Sequence, residues 1–171
     1  MYQYIPKRTN QTARKLIILF FAGAAALMLI TMIARAVPFR WVFQLIALFL
    51  LTAAIFLVTR YVTKLFLYRI ESGDLTVIET DTRGKKRLTV CRVGIANVSR
   101  VHRLTDQAQA KAILAELRGN KIKVFDYTVD LRPSDSILAV VNEGGEDLAV
   151  RLSFDEQLFA LLSPEAPSGE E

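Results

Sequence analysis

Hydrophobic and polar positions divide this chain into two regimes. Residues 16–34, "LIILFFAGAAALMLITMIA", run for 19 positions without a charge, and Thr31 is their one polar side chain. Residues 41–59, "WVFQLIALFLLTAAIFLVT", are a second uncharged run of 19. Each approaches the roughly 20 apolar residues a helix needs to cross the hydrocarbon core of a bilayer. The linking "RAVPFR" (35–40) is too short to hold a domain, and Pro38 favours a turn, so the runs predict a tight transmembrane hairpin over 16–62. The first run is long for a signal peptide, and the basic residues after it are not a small-residue cleavage site, which predicts its retention.

From about residue 63 the period changes to short alternating runs broken by turns, the pattern of strands. "FLYRI", "LTVIET" (75–80), "RLTVCRV" (87–93), "IANVSRVHRL" (95–104), "KIKVFDYTVD" (121–130), "SILAVVNE" (136–143) and "DLAVRLS" (147–153) predict seven strands. Ser72-Gly73-Asp74, "TRGKK", "RPSD" and "GGE" supply turns. Between the fourth and fifth strands, "TDQAQAKAILAELRG" (105–119) has a Thr/Asp start, an apolar stripe of Ala110, Ile113, Leu114 and Leu117, and a terminal glycine, so it predicts a helix over 106–118. Ser153 and Glu156 have capping-box spacing ahead of a closing helix, with Phe154, Leu158, Phe159, Leu161 and Leu162 as its packing residues. The polar tail "SPEAPSGEE" (163–171) predicts disorder.

Charge decides the orientation expected of this plan. Residues 1–70 hold nine Lys or Arg and no acid, while residues 71–171 hold 13 Lys or Arg against 17 Asp or Glu. The basic segment 1–15 and the flank after the second run carry Lys7, Arg8, Arg14, Lys15, Arg60, Lys64 and Arg69; the turn carries only Arg35 and Arg40. Seven cations against two place both termini in the cytoplasm and the turn outside a plasma membrane. Phe39, Trp41 and Tyr61 suit the interfaces. Neither run contains an ionisable group, which argues against an ion-coupled pump. Gln44 and Thr52 read as helix-pairing contacts, and the small residues at 22–26, with Ala53 and Ala54, allow close approach within the hairpin or between copies.

Seven short strands, an inserted helix and a closing helix behind a two-span hairpin make an α+β plan. It resembles bacterial pleckstrin-homology-like membrane proteins, in which a hydrophobic hairpin precedes a small barrel-like domain. The segments that carry the resemblance are "YRIESGDLTVIETDTRGKKRLTVCRVGIANVSRV" and "LAVRLSFDEQLFALL". The resemblance covers roughly 60–162 and implies a bent, mostly antiparallel sheet over 63–162; the helix at 106–118 departs from the simplest plan.

Candidate chemistry is sparse. The chain lacks the GxxxxGK[ST], GxGxxG and GxSxG runs of phosphate loops and nucleophile elbows. Cys91 and His102 are its only cysteine and histidine, so an intrachain disulfide or a Cys/His zinc site is excluded. Cys91 reads as a small core residue, and a Cys91–His102 dyad requires the fold to bring the two together. Asp126, Asp130 and Asp135 are the candidate divalent-ion ligands, read first as a solvated face. The expectation is a non-enzyme without metal or cofactor.

The basic hairpin Arg83, Lys85, Lys86 and Arg87 is the candidate contact site, for anionic phospholipid head groups or a protein partner. Residues 83–103 contain seven cations and no acid, and residues 126–171 contain 11 acids and two cations. The resemblance adds that phosphoinositide-binding members use cations on an early hairpin. A net-acidic domain without aromatics among the cations argues against nucleic acid. The function expected is a membrane-anchored binding module that meets a lipid leaflet, an unidentified protein or a second copy. The alternative is an accessory subunit of a transporter or envelope enzyme that uses its hairpin as the interface.

Overall fold

The computed structural model describes residues 1–8, 11–33, 39–81 and 87–163. Two units form: residues 11–64, and residues 1–10 together with 65–171.

The first unit is the helical hairpin. Helix α1 spans Thr12–Ile33 and helix α2 spans Arg40–Val58, and the latter continues as a π-helical turn, Thr59–Thr63. Both are long and apolar enough to cross a membrane, with mean hydropathies of 2.7 and 2.5. Their seam is built from residues seven apart: Ile17, Ala24 and Thr31 on α1, Ala47 and Ala54 on α2. A seven-residue period keeps one narrow stripe facing the partner helix, and small side chains there let the backbones approach. Thr31 Oγ1 donates to the Met28 carbonyl at 2.8 Å, which satisfies the hydroxyl inside its own helix. Gln44 and Thr52 are exposed and lie outside the seam between these two helices. Thr52 bonds back to the Leu48 carbonyl at 2.9 Å.

The second unit contains eight strands: β1 (Tyr2–Tyr4), β2 (Lys64–Glu71), β3 (Asp74–Asp81), β4 (Arg87–Gly94), β5 (Val98–Leu104), β6 (Lys123–Asp126), β7 (Ser136–Glu143) and β8 (Glu146–Ser153). Helix α3 spans Gln107–Gly119 and helix α4 spans Glu156–Leu162. The seven strands of the sequence pattern are all present, and the eighth comes from the extreme N-terminus. They form two four-stranded sheets, ordered β1-β2-β3-β4 and β5-β7-β8-β6. The α+β class stands. Ser72-Gly73 and Gly144-Gly145 close the β2–β3 and β7–β8 hairpins with positive φ at both central residues, the geometry whose twist matches the flanking strands.

The core lies between the sheets. Phe66, Tyr68, Leu75 and Val77 face Ile137, Ala139, Val150 and Leu152, and Leu158 and Leu162 of α4 join them. Leu161, expected among the packing residues, is 45% exposed. A second, smaller core sits on the outer face of the second sheet, where Ala110, Ile113, Leu114 and Leu117 of α3 cover Leu138, Val140 and Ala149. The first six residues of β7 are therefore buried, which explains the unbroken apolar run Ile137–Val141. Strand β6 returns at the far edge of this sheet and runs parallel to β8, as a helical crossover permits.

Two helix ends differ from the spacing rules. Ser153 does not cap α4: it is the last residue of β8, and its Oγ accepts the Val129 N–H at 3.3 Å. The cap is Asp155, whose carboxylate accepts the Leu158 N–H at 3.1 Å. At the end of α3, Gly119 is the last helical residue, and the left-handed position falls on Lys121, with φ 60°. The Lys121 N–H donates to the Arg118 carbonyl at 3.0 Å and the Ile122 N–H to the Leu117 carbonyl at 2.9 Å, a Schellman closure.

Candidate functional site

Arg83, Lys85 and Lys86 lie outside the described residues. Arg87, the fourth cation of that hairpin, is exposed at the start of β4, opposite Thr80. Two of the nearby cations are already engaged. Arg92 grips Asp74 at 2.6 Å, and Arg103 grips Asp135 at 2.7 Å while its guanidinium sits 3.9 Å above the Phe154 ring.

The candidate catalytic pair is not assembled. Cys91 stands on β4, partly buried against the core between the sheets, whereas His102 is exposed on β5. Burial first, and then the charge of Glu143, push the Cys91 thiol above its ordinary range; a hydrogen-bonding contact with Tyr127 pulls the other way. The nucleophile is the thiolate, so these surroundings slow the reactions of Cys91. Alkylation by iodoacetamide near neutral pH is expected to run about tenfold slower than for a free cysteine, and a rate equal to that of the unfolded chain would contradict this burial.

The three candidate acids take separate structural roles. Asp126 accepts from the Thr128 N–H at 2.9 Å and its hydroxyl at 2.7 Å, and its second oxygen lies 3.7 Å from Arg151. Asp130 is buried, and its backbone carbonyl accepts the Thr128 hydroxyl at 3.2 Å. Asp135 holds Arg103. Among the described residues, no group of three or more His, Cys, Asp or Glu could hold a metal ion.

A trough of about 820 Å³ lies on the outer face of the second sheet, beside α3. Helix α3 covers only part of that face. Ile113 and Leu117 of the helix, Ile122 after it and Val140 of β7 form the apolar floor. Arg100 and His102 rise on the β5 side, and Lys121 and Lys123 stand at the other end of the lining. Strand β5 is an edge of its sheet, and a bulge at Ser99 turns that hydroxyl onto the Val140 carbonyl at 3.1 Å. Arg100 and His102 already belong to the acid-free run 83–103; Lys121 and Lys123 carry no sequence signal, because they reach the same trough only through the α3 crossover.

The N-terminal segment is also built into this unit. Strand β1 pairs antiparallel with β2, setting Tyr2 against Ile70 and Tyr4 against Tyr68. The Tyr2 hydroxyl donates to the Asp155 carboxylate, and the Tyr4 ring lies 6.1 Å from that of Tyr68. A run of three residues is too short for periodicity to reveal; its one signal is a pair of strand-favouring tyrosines two apart.

Comparison of the chain with protein-family models, with curated proteins and with solved structures finds no match.

Proposed function

We propose that this chain is a two-span membrane protein that holds a pleckstrin-homology-like binding domain at the cytoplasmic face of the plasma membrane, with Arg83, Lys85, Lys86 and Arg87 turned toward anionic head groups. The observation that carries the reading is the pairing of β1 with β2. A hairpin that crosses twice returns its ends to one side of the bilayer, and the strand before α1 joins the sheet that follows α2. The cation count on the flanks makes that side the cytoplasm. Two facing sheets and a terminal helix packed into their common core support the fold family; the β5–α3–β6 crossover is an elaboration on it. A cation held near an anionic leaflet gains about 1 kcal/mol, so four on one hairpin are enough to orient a domain that is already anchored.

One labelled variant tests both parts. Leu88, which is exposed beside the basic hairpin, is replaced by Cys in a Cys91→Ser background, and the full chain is used. In intact cells, a membrane-impermeant maleimide is expected to reach it only after permeabilisation; labelling without permeabilisation sinks the orientation. In nanodiscs, energy transfer from a dye at this position to a head-group dye is expected to rise when anionic lipid is added. High salt and alanine at all four cations should each abolish the rise. An equal rise with the alanine variant sinks the lipid contact.

A further inference from the structure

We infer that this chain pairs with a second copy of itself in the bilayer, through the face of α2 that carries Gln44, Thr52 and Thr59. The inference rests on the two-span part of the reading above and adds to it a partner, a surface and the side chains that recognise it.

Apart from Arg40 and Trp41 at its start, helix α2 with its C-cap holds three polar side chains: Gln44, Thr52 and Thr59. All three are exposed. At about 100° per residue they fall within a sector of about 80°, and Leu48 and Ile55, also exposed, lie between them. Ala47 and Ala54, which face α1, lie to one side of this sector. Leu45, Phe49 and Phe56 lie to the other side, exposed and wholly apolar, as a lipid-facing surface requires. Helix α1, by contrast, keeps the one polar side chain of its uncharged run, Thr31, in the seam and bonded to its own backbone.

The Thr52 and Thr59 hydroxyls donate to the Leu48 and Ile55 carbonyls, each at 2.9 Å, and their oxygens keep the capacity to accept. Gln44 is different: its side-chain amide has no hydrogen bond among the described residues. Hydrocarbon offers an amide no partner, so such a group favours a second helix. A second copy is the occupant this face fits. Copies inserted in one bilayer share an orientation, so a two-fold axis along the membrane normal sets α2 beside α2, with every residue at the depth of its counterpart. An amide both donates and accepts, so Gln44 of one copy complements Gln44 of the other. Thr52 and Thr59 meet their counterparts in the same way, and Leu48 and Ile55 pack between them. The pair carries two strand domains, so weak contacts made by each act together.

The full chain with Leu88→Cys and Cys91→Ser is labelled in separate batches with donor and acceptor dyes. The batches are mixed in vesicles of phosphatidylcholine alone, so the anionic-leaflet reading does not enter the result. Energy transfer is followed as lipid is added. Transfer is expected to exceed that of random proximity and to fall with dilution. Gln44→Leu should move the midpoint to about tenfold more protein per lipid. Gln44→Asn, which keeps an amide, should stay closer to the parent chain, and Phe49→Leu, in the lipid-facing sector, should leave the midpoint unchanged. In the Cys91→Ser background, oxidation should cross-link copies through Leu48→Cys and not through Phe49→Cys. Transfer no greater than random proximity, or equal cross-linking at the two positions, would overturn the pairing. So would a midpoint untouched by Gln44→Leu, which would mean that head groups and water satisfy the amide. Alkaline extraction of the same vesicles keeps this result distinct from the two-span reading. A chain that stays with the lipid but does not pair overturns the pairing alone, and a chain that is released overturns both.

Discussion

Tyr68→Phe is expected to lower the stability of the strand domain by about 3 kcal/mol, through the loss of one oxygen atom. Tyr68 is fully buried on β2. Its hydroxyl donates to the Tyr127 carbonyl at 2.8 Å and accepts the Ser153 N–H at 3.1 Å. One side chain of the first sheet thus satisfies two backbone groups, one just beyond β6 and one at the end of β8. Phenylalanine preserves the packing and leaves both groups unpaired, and each buried orphan costs about 1–3 kcal/mol. Chemical denaturation of the full chain, monitored by a probe in the strand domain, reads the loss directly. A change below about 0.5 kcal/mol would mean that water or another group replaces the hydroxyl.

The same residue sets an alkaline limit. Burial pushes the Tyr68 phenol up to about 12, helped by the charge of Asp126 and by Tyr4, against the lowering effect of its bonds to Ser153. An unfolded tyrosine titrates near 10. Below that pH both states hold the proton and the contribution is complete. Between about 10 and about 12 the unfolded chain releases its proton first, so stability falls with rising pH by roughly 1.4 kcal/mol per unit. Tyr68→Phe should make that fall shallower. Tyr2 and Tyr4, both raised chiefly by burial, leave a residual slope.

Deletion of residues 1–8 is the second large effect, expected at about 3 kcal/mol. It strips the β2 edge of its partner from Tyr68 to Ile70 and removes two half-buried tyrosines. It also takes the Tyr2 hydroxyl from Asp155, the residue that caps α4, and uncovers the site of the buried Pro6. Hydrogen exchange should show faster exchange in β2 and α4, with β7 and β8 little changed. Unaltered protection of β2 would mean that β1 is not an integral strand. A fragment that begins after the hairpin therefore lacks one strand of its own sheet, so binding experiments on this domain need the full chain.

Much of this structure is legible along the chain because its causes are local. Uncharged runs specify the hairpin helices, since hydrocarbon tolerates no unpaired backbone or isolated charge. Alternation and the paired turn residues Ser72-Gly73 and Gly144-Gly145 specify strands that are adjacent in sequence. The cap of α4 is a near miss of the same kind. Ser153 and Asp155 are both competent caps, and the choice falls to Asp155 because β8 and the Val129 amide claim Ser153 first.

The sequence by itself determined that an apolar hairpin precedes an α+β domain, that seven strands and two helices compose that domain, and that its cations and acids are segregated. Tertiary structure alone decided that Tyr2–Tyr4 is the eighth strand, that β6 crosses over to lie parallel to β8, and that Arg100 and His102 share a trough with Lys121 and Lys123. The reason is separation along the chain. Periodicity reports which face of an element is buried but not which distant element buries it, and each of these pairings joins residues from about twenty to more than sixty positions apart.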